Sequence, residues 1–204
     1  LKSEIAGKFF YLYMFMDIYS RKITGFKVHD CESMEHASAL VEDICVMEKI
    51  LKDQMVLHSD NGGAMKGATM LATLQRLGVV PSFSRPRVSD DNPFSESLFK
   101  TLKYCPQYPS KPFTSTEEAS SWVERFVVWY NNVHLHSGIK FVTPASRHNG
   151  RDEEILKKRK EVYQIAKLKN PNRWPREIRN WNKIEKVYLN HLQEEKVDAI
   201  VKAS

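Results

Sequence analysis

Apolar and aromatic residues run without a polar break from Phe9 to Met16. That length and composition predict a strand buried on both faces, as in the middle of an α/β sheet. Ser20, Arg21 and Lys22 make a polar turn, and Ile23 to Asp30 resumes as a second strand, close enough to form an antiparallel hairpin. Ser33 is a candidate N-cap for a helix in which Ala37, Leu40, Val41, Ile44, Met47 and Leu51 recur at helical spacing. Residues 54–60 read as the next strand, and residues 64–77 as a helix stopped by Gly78. Residues 79–84 make a further short strand, and a helix after Pro93 carries Glu96 to Lys103. After a proline-punctuated loop, Thr114 or Ser115 with Glu117 or Glu118 resembles a capping box. It opens a long amphipathic helix through Trp122, Phe126 and Trp129 to Tyr130. The order of hairpin, helix, strand, helix, strand and helix predicts an α/β three-layer domain.

Beyond Gly150 the pattern shifts to a charged helix, a loop with Pro171 and Pro175, and a weakly apolar end. A domain of residues 1–150 and a basic extension of residues 151–204 are expected. Charge sharpens this division. Residues 151–204 hold 14 Lys and Arg against 9 Asp and Glu, most of the net +6. A nearly neutral body with a basic tail suits a polyanion such as nucleic acid, although a solvated basic helix face explains the same charge. No apolar run approaches the roughly 20 residues that cross a bilayer, and the start LKSEIAGK has no signal-peptide pattern, so no membrane partner and a cytoplasmic location are expected. The chain also lacks an initiator Met, so a gene start upstream is expected. Cys31, Cys45 and Cys105 are odd in number and far apart, and read as reduced thiols.

Two carboxylates stand out, Asp60 and Glu96, with thirty-five residues between them. Asp60 ends a buried-looking strand and precedes Asn61-Gly62-Gly63, where missing side chains would admit a phosphate backbone. Glu96 shares a helix face with Asn92, Lys100 and Lys103 at i−4, i+4 and i+7. A carboxylate ringed by bases suits a metal-bound acid beside a phosphate, and carboxylate oxygens are what Mg²⁺ takes. Ordinary helix salt bridging, worth about 0.2–0.5 kcal/mol per pair, explains the lysines as well. His134 and His136 are two apart. On a helix they would point about 200° from each other and could not chelate one ion. On a strand they would share a face, but with no third ligand nearby a capping or DNA-facing role fits better than zinc.

HSDNGG, then SFSRPRVSDDNPFSESLFKTLK, then WYNNVHLHSGIKFVTP resemble the DDE transposases of bacterial insertion sequences, which share the integrase core of retroviral integrases. The resemblance covers about residues 1–150, and the tail is similar to the C-terminal extension that some members carry. It implies a ribonuclease H-like fold, a five-stranded mixed sheet ordered 3-2-1-4-5 between helices. It also implies DNA strand cleavage and joining with two Mg²⁺ (or Mn²⁺) ions held by three acids. Asp60 matches the second acid and Glu96 the third. Lys103 matches a position that commonly meets DNA; Asn61, Asn92, Lys100, His134 and His136 complete the expected DNA contacts. The implied partners are the element ends and target DNA, a helix-turn-helix segment encoded upstream, and further copies of the chain, at the bacterial nucleoid.

The first acid is where the sequence departs from the family. In the family it lies on the first strand, in a Trp-x-x-Asp-type segment before a Gly-containing hairpin turn. Here that turn falls at Ile5 to Lys8, so most of the first strand, and its Asp, are expected upstream of Leu1. Asp17 matches a second-strand position that is not a metal ligand. Losing the first acid leaves each ion one protein carboxylate, with less to offset the repulsion between the ions. A truncated reading frame, or the downstream part of a product completed by another segment, is therefore expected, without activity by itself. Val133 and Leu135, where relatives often carry charge, are a milder departure. Two other readings stand beside the transposase core: a non-catalytic DNA-binding module, and a ribonuclease H-type nuclease.

Overall fold

The computed structural model describes residues 1–85 and 91–189. Part of the SFSRPRVSD stretch and the end of the expected basic extension lie outside the described residues. The chain forms two compact units, each assembled from separate segments. Among the described residues, one contains 1–13, 25–85, 91–116 and 188–189, and the other contains 14–24 and 117–187.

The first unit opens with the expected tight turn. Lys8 N–H donates to the Ile5 carbonyl at 3.0 Å, and Gly7 takes a positive φ of 78°. Leu1 and Phe10 exchange backbone hydrogen bonds across it at 2.8 Å, and Lys2 bridges Phe9. Strand β1 (Tyr11–Met16) then pairs with β2 (Ile23–His29). Six intervening residues are too few for a parallel crossover, so the pair is the expected antiparallel hairpin. Helix α1 (Met34–Met47) starts where the N-cap pattern puts it, because Ser33 Oγ accepts from Glu35 N–H and His36 N–H. It stops earlier than its apolar spacing predicts, since Lys49 turns to φ 55°, and Met47 and Leu51 end up exposed.

Strand β3 (Val56–Ser59) leads to α2 (Gly63–Lys66) and α3 (Ala68–Leu77), where one continuous helix over 64–77 was expected. Gly67 causes the break. Its backbone is extended, and a Cβ there would fall 1.5 Å from Met34 Sδ, so the chain bends where α1 presses in. Gly78 ends α3 in the left-handed conformation, φ 68°, as its position predicts. Strand β4 (Val80–Phe83) then pairs in parallel with β3, Val56 opposite Val80 and Ser59 opposite Phe83. Ala37, Leu40, Val41 and Ile44 of α1 and Met70 and Leu74 of α3 are buried, the apolar faces that α1 and α3 turn to each other. Helix α4 (Pro93–Lys103) closes the unit, with Pro93 at its first position and Leu98 and Leu102 buried.

Two expectations need correction. The described residues hold two two-stranded ladders, β1–β2 and β3–β4, and not one five-stranded sheet. These are the outer pairs of the 3-2-1-4-5 order. The described start of the chain supplies single bridges instead of a named strand, Lys2 to Phe9 and Ser3 to Phe113. Consequently β1 has one ladder partner, and its residues are exposed at Tyr11 and half-buried thereafter instead of buried on both faces.

In the second unit, α5 (Thr116–Asn132, from Glu117 on) buries Trp122, Val123, Phe126, Val127 and Tyr130 along one stripe. Asn131 pins the first residue of β2: its Oδ1 accepts from Ile23 N–H at 2.9 Å and its Nδ2 donates to Ile23 O at 3.0 Å. Helix α6 (Pro144–His148) is capped by Thr143, and α7 (Asp152–Lys169) follows with acids in its first turn and lysines in its last, as the helix dipole favours. Arg147 is fully buried. It donates to Tyr19 O at 2.8 Å, to Ile184 O at 2.5 Å and to Asp152 Oδ2 at 3.2 Å, with its guanidinium 4.1 Å from the Tyr19 ring centre. Among the described residues, no helix is long and apolar enough to cross a membrane.

Gly78→Ala should cost more than about 1 kcal/mol, because φ is positive and its Cβ would meet Lys52 Cβ at 2.9 Å; a urea melt of the full chain reads this directly. Arg147→Ala should cost about 3–5 kcal/mol by the same measurement, since it leaves the buried Asp152 carboxylate with only the more distant Lys183, at 3.8 Å.

Candidate active site

Asp60 follows the last residue of β3, and its side chain is exposed. Its Oδ1 accepts from Gly62 N–H at 3.0 Å, a local turn that sets the carboxylate's orientation. Asn61 Nδ2 donates to Ser84 O at 2.9 Å, so the residue after Asp60 is tied to the chain leaving β4. Ser84 N–H donates in turn to Ser59 O at 3.0 Å, extending the parallel ladder one step past β4. The strand end carrying Asp60 is therefore fixed on both sides of the acid.

Glu96 lies in the first turn of α4 and is exposed, as are Lys100 and Lys103. A carboxylate there is favoured by the helix dipole and a lysine in the last turn likewise. Lys103 Nζ stands 5.6 Å from the Tyr104 ring centre. Asn92 occupies the N-cap position without a side-chain capping bond, and Glu96 N–H donates to its carbonyl at 3.3 Å.

Between these two acid-bearing elements runs a set of contacts that the sequence did not point to. Asp91, just before Asn92, has a side chain only 3% exposed. Its Oδ2 accepts from Arg85 N–H at 2.7 Å and from Arg85 Nε at 2.9 Å, and its Oδ1 from Arg85 Nη2 at 2.7 Å. These bonds from Arg85 hold the Asp91 carboxyl down at about 2. The Asp91 carbonyl lies 3.0 Å from His58 Nε2, which must donate. His58 Nδ1 lies 2.9 Å from Ser82 Oγ, so the ring is held from both nitrogens. His58 precedes Asp60 by two residues, and the Asp-Asp-Asn-Pro run marks a helix start; those are the cues the sequence holds.

The histidine pair is placed otherwise. His136 bridges Val142 in an extended segment and caps the short 3₁₀ turn Ser137–Ile139, its Nδ1 accepting from Gly138 N–H at 3.1 Å. His136 thus makes a capping contact, one of the two roles expected of the pair. His134 stacks on Tyr130, ring centres 5.4 Å apart, and meets His136 edge-on at 5.8 Å. Burial lowers His134, and burial with the nearby Arg21 and His134 pushes His136 down to about 4. Both rings are neutral near pH 7.

Asp17 is committed to its own turn. Its carboxylate accepts from Tyr19 N–H at 3.0 Å, Ser20 N–H at 3.2 Å and Ser20 Oγ at 2.5 Å, with His148 Nδ1 at 3.4 Å. Burial works to raise its carboxyl, but the bonds from Ser20, Tyr19 and His148 outweigh that and bring it below the usual range. The geometry is that of a structural acid at a hairpin turn. Among the described residues no three His, Cys, Asp or Glu side chains are grouped to hold a metal ion.

Residues 2–89 and residues 77–144 each match the integrase core domain, one stretch containing Asp60 and the other Glu96. The chain belongs to the integrase core family. Among curated proteins it is similar to the transposase for insertion sequence element IS904 of Lactococcus lactis subsp. lactis, 29% identical over 139 residues, 66% of this chain and 53% of that one. Among solved structures, a chain of the simian T-cell lymphotropic virus intasome, in complex with PP2A regulatory subunit B56 gamma, matches with a TM-score of 0.52 at 13% identity. That match covers 72% of this chain and 50% of the other. The HTLV-2 integrase catalytic core domain in complex with magnesium matches with a TM-score of 0.47 at 13% identity, over 72% of this chain and 89% of that one. The chain thus spans about half the length of the transposase and of the intasome chain. Its fold is ribonuclease H-like, an α/β integrase core.

His136 makes folding of this integrase core pH-dependent. Its folded-state value of about 4 lies below the ordinary 6.5, so the unfolded chain binds more protons between the two. Stability should fall as pH drops from about 6.5 to about 4, by on the order of 1–2 kcal/mol once partial exposure is allowed for. His136→Gln should remove that portion, read as the difference between urea midpoints of the two proteins at pH 7 and pH 4.5.

Proposed function

We propose that this chain is the core portion of a transposase that binds DNA and acts on its phosphodiester backbone during DNA integration and recombination. The observation that carries the reading is the mounting of Asp60 and Glu96. Both are exposed carboxylates, one at a strand end and one in a first helical turn of the same compact unit, and each falls inside an integrase core match.

In this reading Asp60, oriented by Gly62 N–H, and Glu96 present hard oxygen donors that fit magnesium or manganese. With no third ligand grouped beside them among the described residues, the donor set fits a hydrated ion shared with phosphate oxygens better than an all-protein cage. A divalent ion, when bound, supplies charge stabilisation to the phosphoryl oxygens and lowers the pKa of a bound water. The chain's own residues do the rest. Lys100 and Lys103, along α4 from Glu96, neutralise the DNA backbone and set its register, and Asn61 and Asn92 lie at the two element ends that flank it. Element ends and target DNA as substrates, a helix-turn-helix segment for sequence recognition, self-association and action at the nucleoid belong to the same proposal.

A second reading, a non-catalytic DNA-binding module, draws on the exposed Lys100 and Lys103 of α4 as phosphate contacts. One set of measurements separates them. Fluorescence anisotropy with a labelled random-sequence duplex should give affinity that falls steeply with salt, and Lys100→Ala and Lys103→Ala should each reduce the log–log slope by about 1. Mn²⁺ binding to the DNA-bound protein, followed by electron paramagnetic resonance, should weaken at least about tenfold in Asp60→Asn and in Glu96→Gln. Unchanged slopes would remove α4 from the DNA interface. Mn²⁺ binding indifferent to both acids would favour the module.

A further inference from the structure

We infer that Arg85 and Asp91, with His58, are positioning residues for the Asp60 and Glu96 acid pair: they set where α4 begins and therefore where Glu96 points. The inference rests on the transposase reading and names residues that act on the same site without touching substrate.

The geometry over-determines one short stretch of backbone. The Asp91 carboxylate takes three bonds from Arg85, one from its backbone and two from its guanidinium, in the forked arrangement that matches a carboxylate. The Asp91 carbonyl takes a fourth, from His58 on β3. His58 is held from its other nitrogen by Ser82 on β4. Residue 91 is thus anchored to both strands of the β3–β4 ladder, immediately before the Asn92 N-cap. A helix that started one residue earlier or later would turn Glu96 by about 100° around the axis. Asn92 makes no side-chain cap, so the start is fixed by Pro93 at the first helical position together with these contacts.

Simple closure of the connection between Arg85 and Asp91 accounts for the ion pair alone. It leaves unexplained why the Asp91 carbonyl is bonded to the strand that carries Asp60, and why the Asp91 side chain is buried while Arg85 is 67% exposed. The fork of Arg85 on that carboxylate fixes direction as well as supplying charge.

The test measures Mn²⁺ affinity of the DNA-bound full chain by electron paramagnetic resonance, with the thermal midpoint followed alongside. Arg85→Ala should weaken Mn²⁺ binding about tenfold while the chain stays folded. Guanidinium ion at about 20 mM, far below denaturing concentrations, should restore most of that affinity, because it refills the fork. Arg85→Lys should stay weakened, since an ammonium cannot make the fork, and Asp91→Asn, nearly isosteric, should weaken binding in a way guanidinium does not repair. Wild-type Mn²⁺ affinity in folded Arg85→Ala and Asp91→Asn, alongside a loss in Glu96→Gln, would overturn the positioning role and leave the transposase reading standing. Weakened binding that guanidinium does not restore in Arg85→Ala would equally overturn it, as a general loss of structure. Mn²⁺ binding unaffected by Glu96→Gln would overturn both.

Discussion

The bond from His58 to the carbonyl of Asp91 is the contact on which the acid-bearing unit depends. It crosses from a strand to a helix start, and every other feature near the two acids is arranged around it. Ser82 orients the histidine, Arg85 seals the carboxylate of the same residue, and Pro93 begins the helix two positions later. A parallel strand pair has no hairpin to join its ends, so the C-terminal side of β3 and β4 is held by side chains. Asn61 to Ser84 and His58 to Asp91 are those side-chain ties. The strand end that carries Asp60 is rigid on this account, while the Asp60 carboxylate remains in solvent.

The second unit solves a different problem. Arg147 lies where a charge is costly, and the cost is offset by Asp152, two backbone carbonyls and the face of Tyr19. Lys183, 3.8 Å from the other Asp152 oxygen, extends the network toward the 181–187 segment. Such a network joins pieces that are short on apolar surface. The shorter apolar cluster of Ile139, Val142, Leu156 and Trp181 packs in the same unit. The capping of the Ser137–Ile139 turn by a neutral His136 belongs to this economy, because burial there favours an uncharged acceptor over a cation.

Much of this was legible in the sequence. Ser33, Gly78 and Pro93 each mark the helix end at which they are found, since a cap or a fixed φ acts within a few residues. The split of the 64–77 helix was not legible, because Gly67 bends in answer to Met34, more than thirty residues away. The burial of β1 was overestimated for a related reason: an apolar run reports what a strand could bury, not how many partners it meets. Asp17 shows the reverse. Its motif position marked it as structural, and three local hydrogen bonds bear that out.

Asp60 and Glu96 sit on the elements expected of them because their settings are local: a strand running into Asn-Gly-Gly, and a proline-led helix with lysines one and two turns on. What the sequence by itself determined was therefore the kinds of element, their caps, the position of each acid on its element and the family. Only the tertiary structure decided that Asp91 is buried, that His58 is its tether, and that Arg147 is enclosed. Those outcomes depend on partners 33 and 128 residues apart, His58 with Asp91 and Arg147 with Tyr19. Periodicity and capping act over a turn or two of chain, whereas the worth of a buried polar group depends on which distant segment returns to meet it.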